Sequence, residues 1–390
     1  MGERAVVVGG GIGGLAAAIG LHRTGWEVTV LERADVLDDA GAGISLAANG
    51  IRALDALGVG PAVRAAGRGQ YTGGTRTPRG SRLSRMDGAA LERALGTPVV
   101  GIPRADLHRI LRSALPASCL ALGTEVTSVE DLEADLVVAA DGLRSRIRAA
   151  LFPGHPGPAY SGSTVLRAIT AEPVSLDSDF ELTWGAGEEF GHIAFADGRA
   201  EWHAVLGSPP GVRHRDPLAV LHRRFADWHR TVRYLLDATR PEDVLHHDIH
   251  ELAEPLPSFV AGRVALLGDA AHAMPPHLGQ GACQALEDAV TLAAELAAGP
   301  DRAAALARYD AARRPRTGAV ARAARRAGRM GPQLTHPLAR AARDTALRLA
   351  PSGATVRAIL RHADWTPPSL VPRGYSDRSS TAGDSTQSAT

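Results

Sequence analysis

The sequence predicts an α/β fold: a parallel-sheet domain assembled from separate segments, a β-sheet domain set into it, and a helical C-terminus. Three observations carry this. Residues 4–32 read as strand, helix, strand; residues 160–249 break into short strand-like runs separated by Gly, Pro and Asp; residues 301–361 are Ala- and Arg-rich with a helical pattern. At about 150 residues per domain, 390 residues suggest two domains, or one large domain with an insertion.

Taken in order, the run Ala5-Val6-Val7-Val8 is of the kind buried on both faces of a parallel sheet. A glycine cluster and an Ala/Leu-rich helix to about Arg23 follow, Gly25 stops that helix, and 27–32 reads as the next strand. Residues 47–57 and 104–115 read as helices, 67–85 as irregular Gly/Arg/Thr-rich chain, and 124–129 and 134–140 as strands. Residues 263–268 return to a buried parallel-type strand, and a long helix begins near Gly281. The parallel-sheet domain is therefore drawn from 1–70, 98–160 and 255–300. The inserted β domain takes 71–97 and 161–254, and the C-terminal helices 301–365. The Pro-, Ser-, Thr- and Asp-rich segment 366–390 is expected to be disordered.

Composition excludes several functions. A net charge of +1 argues against a nucleic-acid binder, whose electrostatic attraction needs a strong basic excess. All 43 basic residues are Arg, so neither a Schiff-base lysine nor a P-loop lysine is available. The two cysteines, Cys119 and Cys283, form no Cys-x-x-Cys or Cys/His cluster, so no zinc site, other metal centre or disulfide framework is expected. At the start of a helix the Cys283 thiol is read as a small packed group. Apolar runs fall short of a membrane span, and the expectation is a cytoplasmic protein.

The glycine cluster carries the first chemical signal. Gly9, Gly11 and Gly14 form Gly-x-Gly-x-x-Gly between strand and helix, and Glu32 ends the second strand. Gly9 permits the tight turn, Gly11 lets backbone approach a pyrophosphate, and Gly14 lets helix and strand pack closely. The helix N-terminus then offers free N–H groups and a positive dipole end to phosphates. Glu32 is placed to accept hydrogen bonds from ribose hydroxyls. The motif alone names only a dinucleotide, NAD or FAD. A second signal lies at 268–288, where a buried strand delivers Asp269 to the sheet's C-terminal edge. There a Pro275-Pro276 turn leads into Gly279-Gln280-Gly281-Ala282 at the start of a helix.

With these blocks, and with Val138-Ala139-Ala140-Asp141-Gly142 followed by Arg144-Ser145, the chain resembles the single-component (group A) FAD-dependent aromatic hydroxylases. These are the relatives of para-hydroxybenzoate, salicylate and urate hydroxylases. Arg104 in Ile102-Pro103-Arg104 matches the family's flavin-contacting arginine, and Trp184-Gly185 with Phe190-Gly191 matches its urate and salicylate branch. The resemblance implies the para-hydroxybenzoate hydroxylase type of Rossmann-like FAD domain. It also implies that Gly11, Gly14, Glu32 and Arg33 hold the ADP half of FAD, with Val126 near the adenine. Arg104 and Asp269 would take the pyrophosphate and ribityl portion, and Gly279, Gly281 and Ala282 the flavin's pyrimidine edge. Asp141-Gly142 would lie near FAD and the nicotinamide donor. The implied reaction is reduction of FAD by transiently docked NAD(P)H, then insertion of one atom of O2 into an aromatic or polyketide-like small molecule through a flavin C4a-hydroperoxide. The chain would act as a monomer or homodimer. An epoxidase, a non-oxygenating flavin oxidoreductase and a non-catalytic Rossmann scaffold are the alternatives.

The substrate side is less legible. Inward candidates are Arg167, Trp184, His192, Phe195, Trp202 and His203, with Pro275 beside the flavin loop. Strand alternation puts Trp202 with Ala204 on one sheet face and His203 with Glu201 on the other, so only one of Trp202 and His203 faces the flavin. His192, His203 and Arg167 are the catalytic candidates, and no general base is assigned among them.

Overall fold

The computed structural model describes residues 2–37, 42–351 and 353–370. Its six-stranded sheet runs Val260–Ala261, Val264–Leu266, Leu136–Ala139, Arg4–Val8, Glu27–Leu31, Leu120–Ala121. Every neighbouring pair is parallel except the first, an antiparallel hairpin. Burial of Val7, Val30, Val137 and Val138 explains the β-branched runs, because helices cover both faces. Helix Ile12–Arg23 lies against helix Gly281–Ala297 closely enough that a Cβ on Gly20 would meet Ala293 Cβ at 2.9 Å.

A seven-stranded sheet runs Leu245–Leu252, Pro158–Ile169, Ala200–Gly207, Glu188–Ala194, Phe180–Trp184, Thr72–Arg76, Arg82–Asp87. Its outer face packs Leu166, Phe190 and Trp202 against helices Pro217–Arg224 and Arg230–Asp237. Its inner face looks toward the parallel sheet. A small sheet of Gly43–Leu46, Val100–Pro103 and Arg68–Gly69 bridges the two.

Three expectations are corrected. Residues 67–85 are not irregular: they hold strands Arg68–Gly69 and Thr72–Arg76 and the start of Arg82–Asp87, and the glycines that hid them are there for close approach. A Cβ on Gly73 would lie 1.7 Å from Phe180 O across the ladder. Residues 124–129 form no strand; Val126 packs on the core, Thr124 N donates to Glu32 O at 2.8 Å, and the edge position goes to Leu120–Ala121. The region 160–249 carries, besides its strands, the two covering helices. The tail expected to be disordered from 366 packs at least as far as Leu370, which with Trp365 lies on the main core; residues 371–390 lie outside the described residues. The C-terminal helices are Arg302–Met330, Pro337–Leu349 and Ala354–Ala363. Among the described residues no helix is long and apolar enough to cross a membrane.

Candidate active site

The glycine loop closes as its spacing requires. Gly9 has φ +110°, and a Cβ there would sit 2.3 Å from Ala140 O; a Cβ on Gly14 would sit 1.9 Å from Gly9 O. Both glycines are therefore needed for strand, turn and helix to touch. At Gly11 nothing lies within 4 Å of the Cβ position, so the N-cap backbone of helix Ile12–Arg23 is bare toward a cavity of about 750 Å³. Glu32 braces the loop, accepting from Gly10 N at 2.7 Å and Ala34 N at 2.9 Å. Arg33 beside it is exposed. His108, which sequence reading did not select, pairs its Nε2 with Gly10 O at 2.7 Å and fixes the loop from helix Arg104–Ser113.

The same cavity is lined by Arg104, Ala140, Gly142, Asp269, Gly279, Gly281 and Ala282. Asp141 itself is turned away from it. Its Oδ2 accepts from Ile147 N at 3.3 Å, and its Oδ1 is buried with no partner. In the 275–278 turn it is Pro276, not the buried Pro275, that reaches the cavity, because Pro276 opens the short helical turn Pro276–Leu278. Gly279 (φ +61°) and Gly281 have no atom within 4 Å of their Cβ positions, leaving the start of helix Gly281–Ala297 open. Cys283 one turn in is fully buried; burial pushes its thiol up to about 12, so it is an inert packed group.

Beneath that helix lies a buried ionic network. Glu287 accepts from Asn49 Nδ2 (2.7 Å) and from both Arg316 Nε (2.6 Å) and Nη2 (2.7 Å), and pairs with Arg313. Asp288 accepts from Arg313 Nε (2.6 Å), His272 Nε2 (2.5 Å) and Gly268 N (3.0 Å). Burial alone would raise the Asp288 carboxyl, but His272 and Arg313 outweigh it and hold it at about 2. His272 thus serves as a tie between the Asp269 loop and the helix.

The inner sheet face forms the opposite wall. Antiparallel register sets Arg167, His203 and Gly191 side by side on three neighbouring strands, with Glu189 and Glu201 flanking them on the same face. His203 Nδ1 lies 3.3 Å from Glu201 Oε2. Its Nε2 is 3.8 Å from Glu189 Oε1, beyond hydrogen-bond reach. Burial would lower the His203 pKa, but Glu201, then Glu189, raise it above the ordinary histidine value. Gly191 makes room for the ring: a Cβ there would meet His203 Nε2 at 2.4 Å.

Four expected wall residues lie elsewhere. Trp202 is on the outer face, stacked on Phe190 at 5.5 Å with its Nε1 donating to Thr239 Oγ1 at 2.7 Å. His192 lies directly opposite Trp202 in the ladder, so it shares that outer face, pairing with Ser178 O at 3.1 Å. Trp184 does not line the cavity; it holds Glu189 through Nε1 (2.5 Å), beneath Arg343. Phe195 is fully buried under Gly43. His277 was missed. It lines the cavity, both its ring nitrogens are buried without partners, and burial lowers its pKa and favours the neutral ring.

Comparison with known proteins agrees with this geometry. The model of the FAD binding domain family matches residues 3–131 and 117–324. The chain is 36% identical over 379 residues to an aurachin C monooxygenase/isomerase of Stigmatella aurantiaca, covering 93% of this chain and 98% of that one. It is 36% identical to a 3-amino-4-hydroxybenzoate 2-monooxygenase of Streptomyces cremeus, covering 83% and 86%. The Klebsiella pneumoniae enzyme HpxO, solved with FAD and uric acid, superposes with TM-score 0.87 at 27% identity, covering 93% of this chain and 96% of that one. A salicylate hydroxylase substrate complex gives TM-score 0.72 at 26% identity, covering 94% and 98%. The chain belongs to the FAD binding domain family, and within it to the FAD-dependent monooxygenases.

Proposed function

We propose that the protein hydroxylates a small electron-rich aromatic molecule, taking two electrons from NAD(P)H and both atoms of O2. One oxygen is inserted at a ring C–H to give a hydroxyl, and the other leaves as water with the donor's hydride and a proton from solvent. The observation that carries this is His203: it lines the cavity on which the bare backbone of Gly11 and Gly281 also opens, and its Nε2 stands 3.8 Å from Glu189 Oε1, too far to be tied up by it. The named substrates of two relatives, 3-amino-4-hydroxybenzoate and 6-hydroxynicotinate, are hydroxylated rings.

FAD fits the residues present. Gly9, Gly11 and Gly14 would cradle its pyrophosphate, with Glu32, Arg33 and Val126 toward the adenosine and Arg104 and Asp269 toward the pyrophosphate and ribityl. Gly279, Gly281 and Ala282 would meet the ring, and Asp141 would act through the backbone of Gly142. When bound, FAD supplies electron acceptance and oxygen activation. The N-terminus of helix Gly281–Ala297 favours negative charge placed against it. His203 Nε2 would hydrogen-bond the substrate hydroxyl, held in orientation by Glu201 at Nδ1, while Arg167 places a second positive charge on that wall. Proton handling at a positioned histidine contributes about 10²–10⁴-fold.

Anaerobic reduction of the flavin by NADH or NADPH, with and without a panel of phenols and aromatic acids, tests the reading. The expected result is that one compound accelerates bleaching of the flavin band and, on admitting ¹⁸O2, gains one labelled oxygen. A product that differs only by two hydrogens overturns it.

A further inference from the structure

We infer that the chamber is built for an amphipathic substrate, a hydroxylated aromatic ring carrying an apolar alkyl arm. The inference rests on the function proposed above and names the class of substrate. It comes from how the lining divides across the sheet.

Arg167, Glu201 and His203 lie on the adjacent strands Pro158–Ile169 and Ala200–Gly207, with Glu189 on the next strand and His277 facing them from the flavin loop. Moving on across the sheet the chemistry changes. The next strand contributes Phe180 and Leu182, Ile193 flanks them, and the edge strand contributes Met86. Among the described residues, neither the Phe180–Trp184 strand nor the Arg82–Asp87 strand places a charge on the chamber.

This apolar half is packed from behind. Met86, Val99 and Ile359 line the chamber and also pack on a satellite cluster of buried Ala48, Leu91, Leu95 and Ala363. Its wall is the last helix among the described residues, Ala354–Ala363, pinned at its C-terminal end. Arg316 donates to His362 O at 3.1 Å, and Arg52 bridges Trp365 O (3.0 Å) and Leu95 O (2.5 Å). Ala358 and Arg361 on that helix are exposed, so it borders the mouth. Polar groups on this side are Arg361 and His362, on the helix at the mouth, and Gln70 deeper in. The Gln70 Nε2 is committed to Arg68 O and Ala194 O, and its Oε1 is buried without a partner. Inward of Arg361 and His362, the walls of Met86, Val99, Phe180, Leu182, Ile193 and Ile359 offer a charged group little, whereas a chain of methylenes loses water against them.

The test titrates the FAD-loaded protein with phenol and 4-ethyl-, 4-butyl- and 4-hexylphenol, following the change in the flavin's visible absorption. Affinity is expected to rise about three- to fourfold per methylene until the arm reaches Ile359. Met86→Trp and Ile359→Trp, which fill the apolar half, are expected to cut the ratio of hexylphenol to phenol affinity by about tenfold or more, with FAD content per chain reporting that each variant is folded. If phenol perturbs the flavin but affinity is flat with chain length, the amphipathic reading falls and the hydroxylase reading stands. If the rise is the same in both tryptophan variants, it reflects partition elsewhere and the inference is overturned. If no phenol perturbs the flavin or speeds its reduction, the aromatic reading falls and takes this one with it.

Discussion

Two buried clusters in this molecule use nearly the same parts. One joins Glu287, Asp288, His272 and Arg313 beneath the flavin-loop helix; the other joins Glu189, Glu201, His203 and Arg167 on the inner sheet face. In the first, carboxylates with no exposed side-chain surface are saturated by donors at hydrogen-bond distance, and none of those four residues lines the cavity. In the second, the histidine has one orienting contact at 3.3 Å and one ring nitrogen left over, and all four side chains line the cavity. Saturated charge makes structure, whereas a spare donor beside open space makes chemistry.

The largest test of that contrast is Arg313→Met. Removing the guanidinium that the two carboxylates share leaves Glu287 to Arg316 and Asn49 and Asp288 to His272, and the expected loss is about 3–5 kcal/mol, read as a fall in Tm of roughly 4–6 °C. The sign with pH follows from the depressed Asp288 pKa. Its contribution is present above the ordinary carboxylate range and is lost as pH falls through about 2, so the variant's deficit should be full at neutral pH and shrink in acid.

His203→Gln should do the reverse. Substrate turnover should fall about 10²–10⁴-fold, while Tm stays within roughly 2 °C of the parent and FAD content is unchanged. If Tm collapses as in Arg313→Met, the two clusters are of one kind and the comparison breaks.

The smallest effect sharpens it. Glu201→Gln removes the carboxylate chiefly responsible for raising the His203 pKa, so the pH at which that ring ionises should move toward acid. The pH profile of flavin perturbation by a phenol should shift the same way. A profile that does not move would show that Glu201 only packs.

Much of this was legible in the sequence where local backbone geometry and chemistry coincide. Gly9 and Gly14 stand where expected because a strand–turn–helix of that size closes only with those glycines, while Glu32 turns out to brace the loop through Gly10 N and Ala34 N. The start of helix Gly281–Ala297 was marked by Gly279 and Gly281 for a different reason: Gly279 takes a positive φ of +61°, and both leave the backbone open rather than crowded. Alternation correctly separated Trp202 from His203, but not which of them faced the cavity. Placing both tryptophans in the pocket was wrong: Trp202 fills the outer face, sealed by Phe225 and Trp228, and Trp184 is taken up by Glu189 and Arg343. Gly191, which makes room for His203, is a signal the sequence holds but only the ladder interprets.

By itself the sequence determined the βαβ unit, the flavin family and the open glycine backbone, since these follow from steric demands between residues near in the chain. Tertiary structure alone decided which face of the seven-stranded sheet is wet. It also placed His277 opposite His203 and wrapped helix Ala354–Ala363, more than 260 residues from Met86, around the chamber's apolar half. Those outcomes depend on register and on which surfaces remain after the core has packed, and no local pattern encodes what a distant segment leaves uncovered.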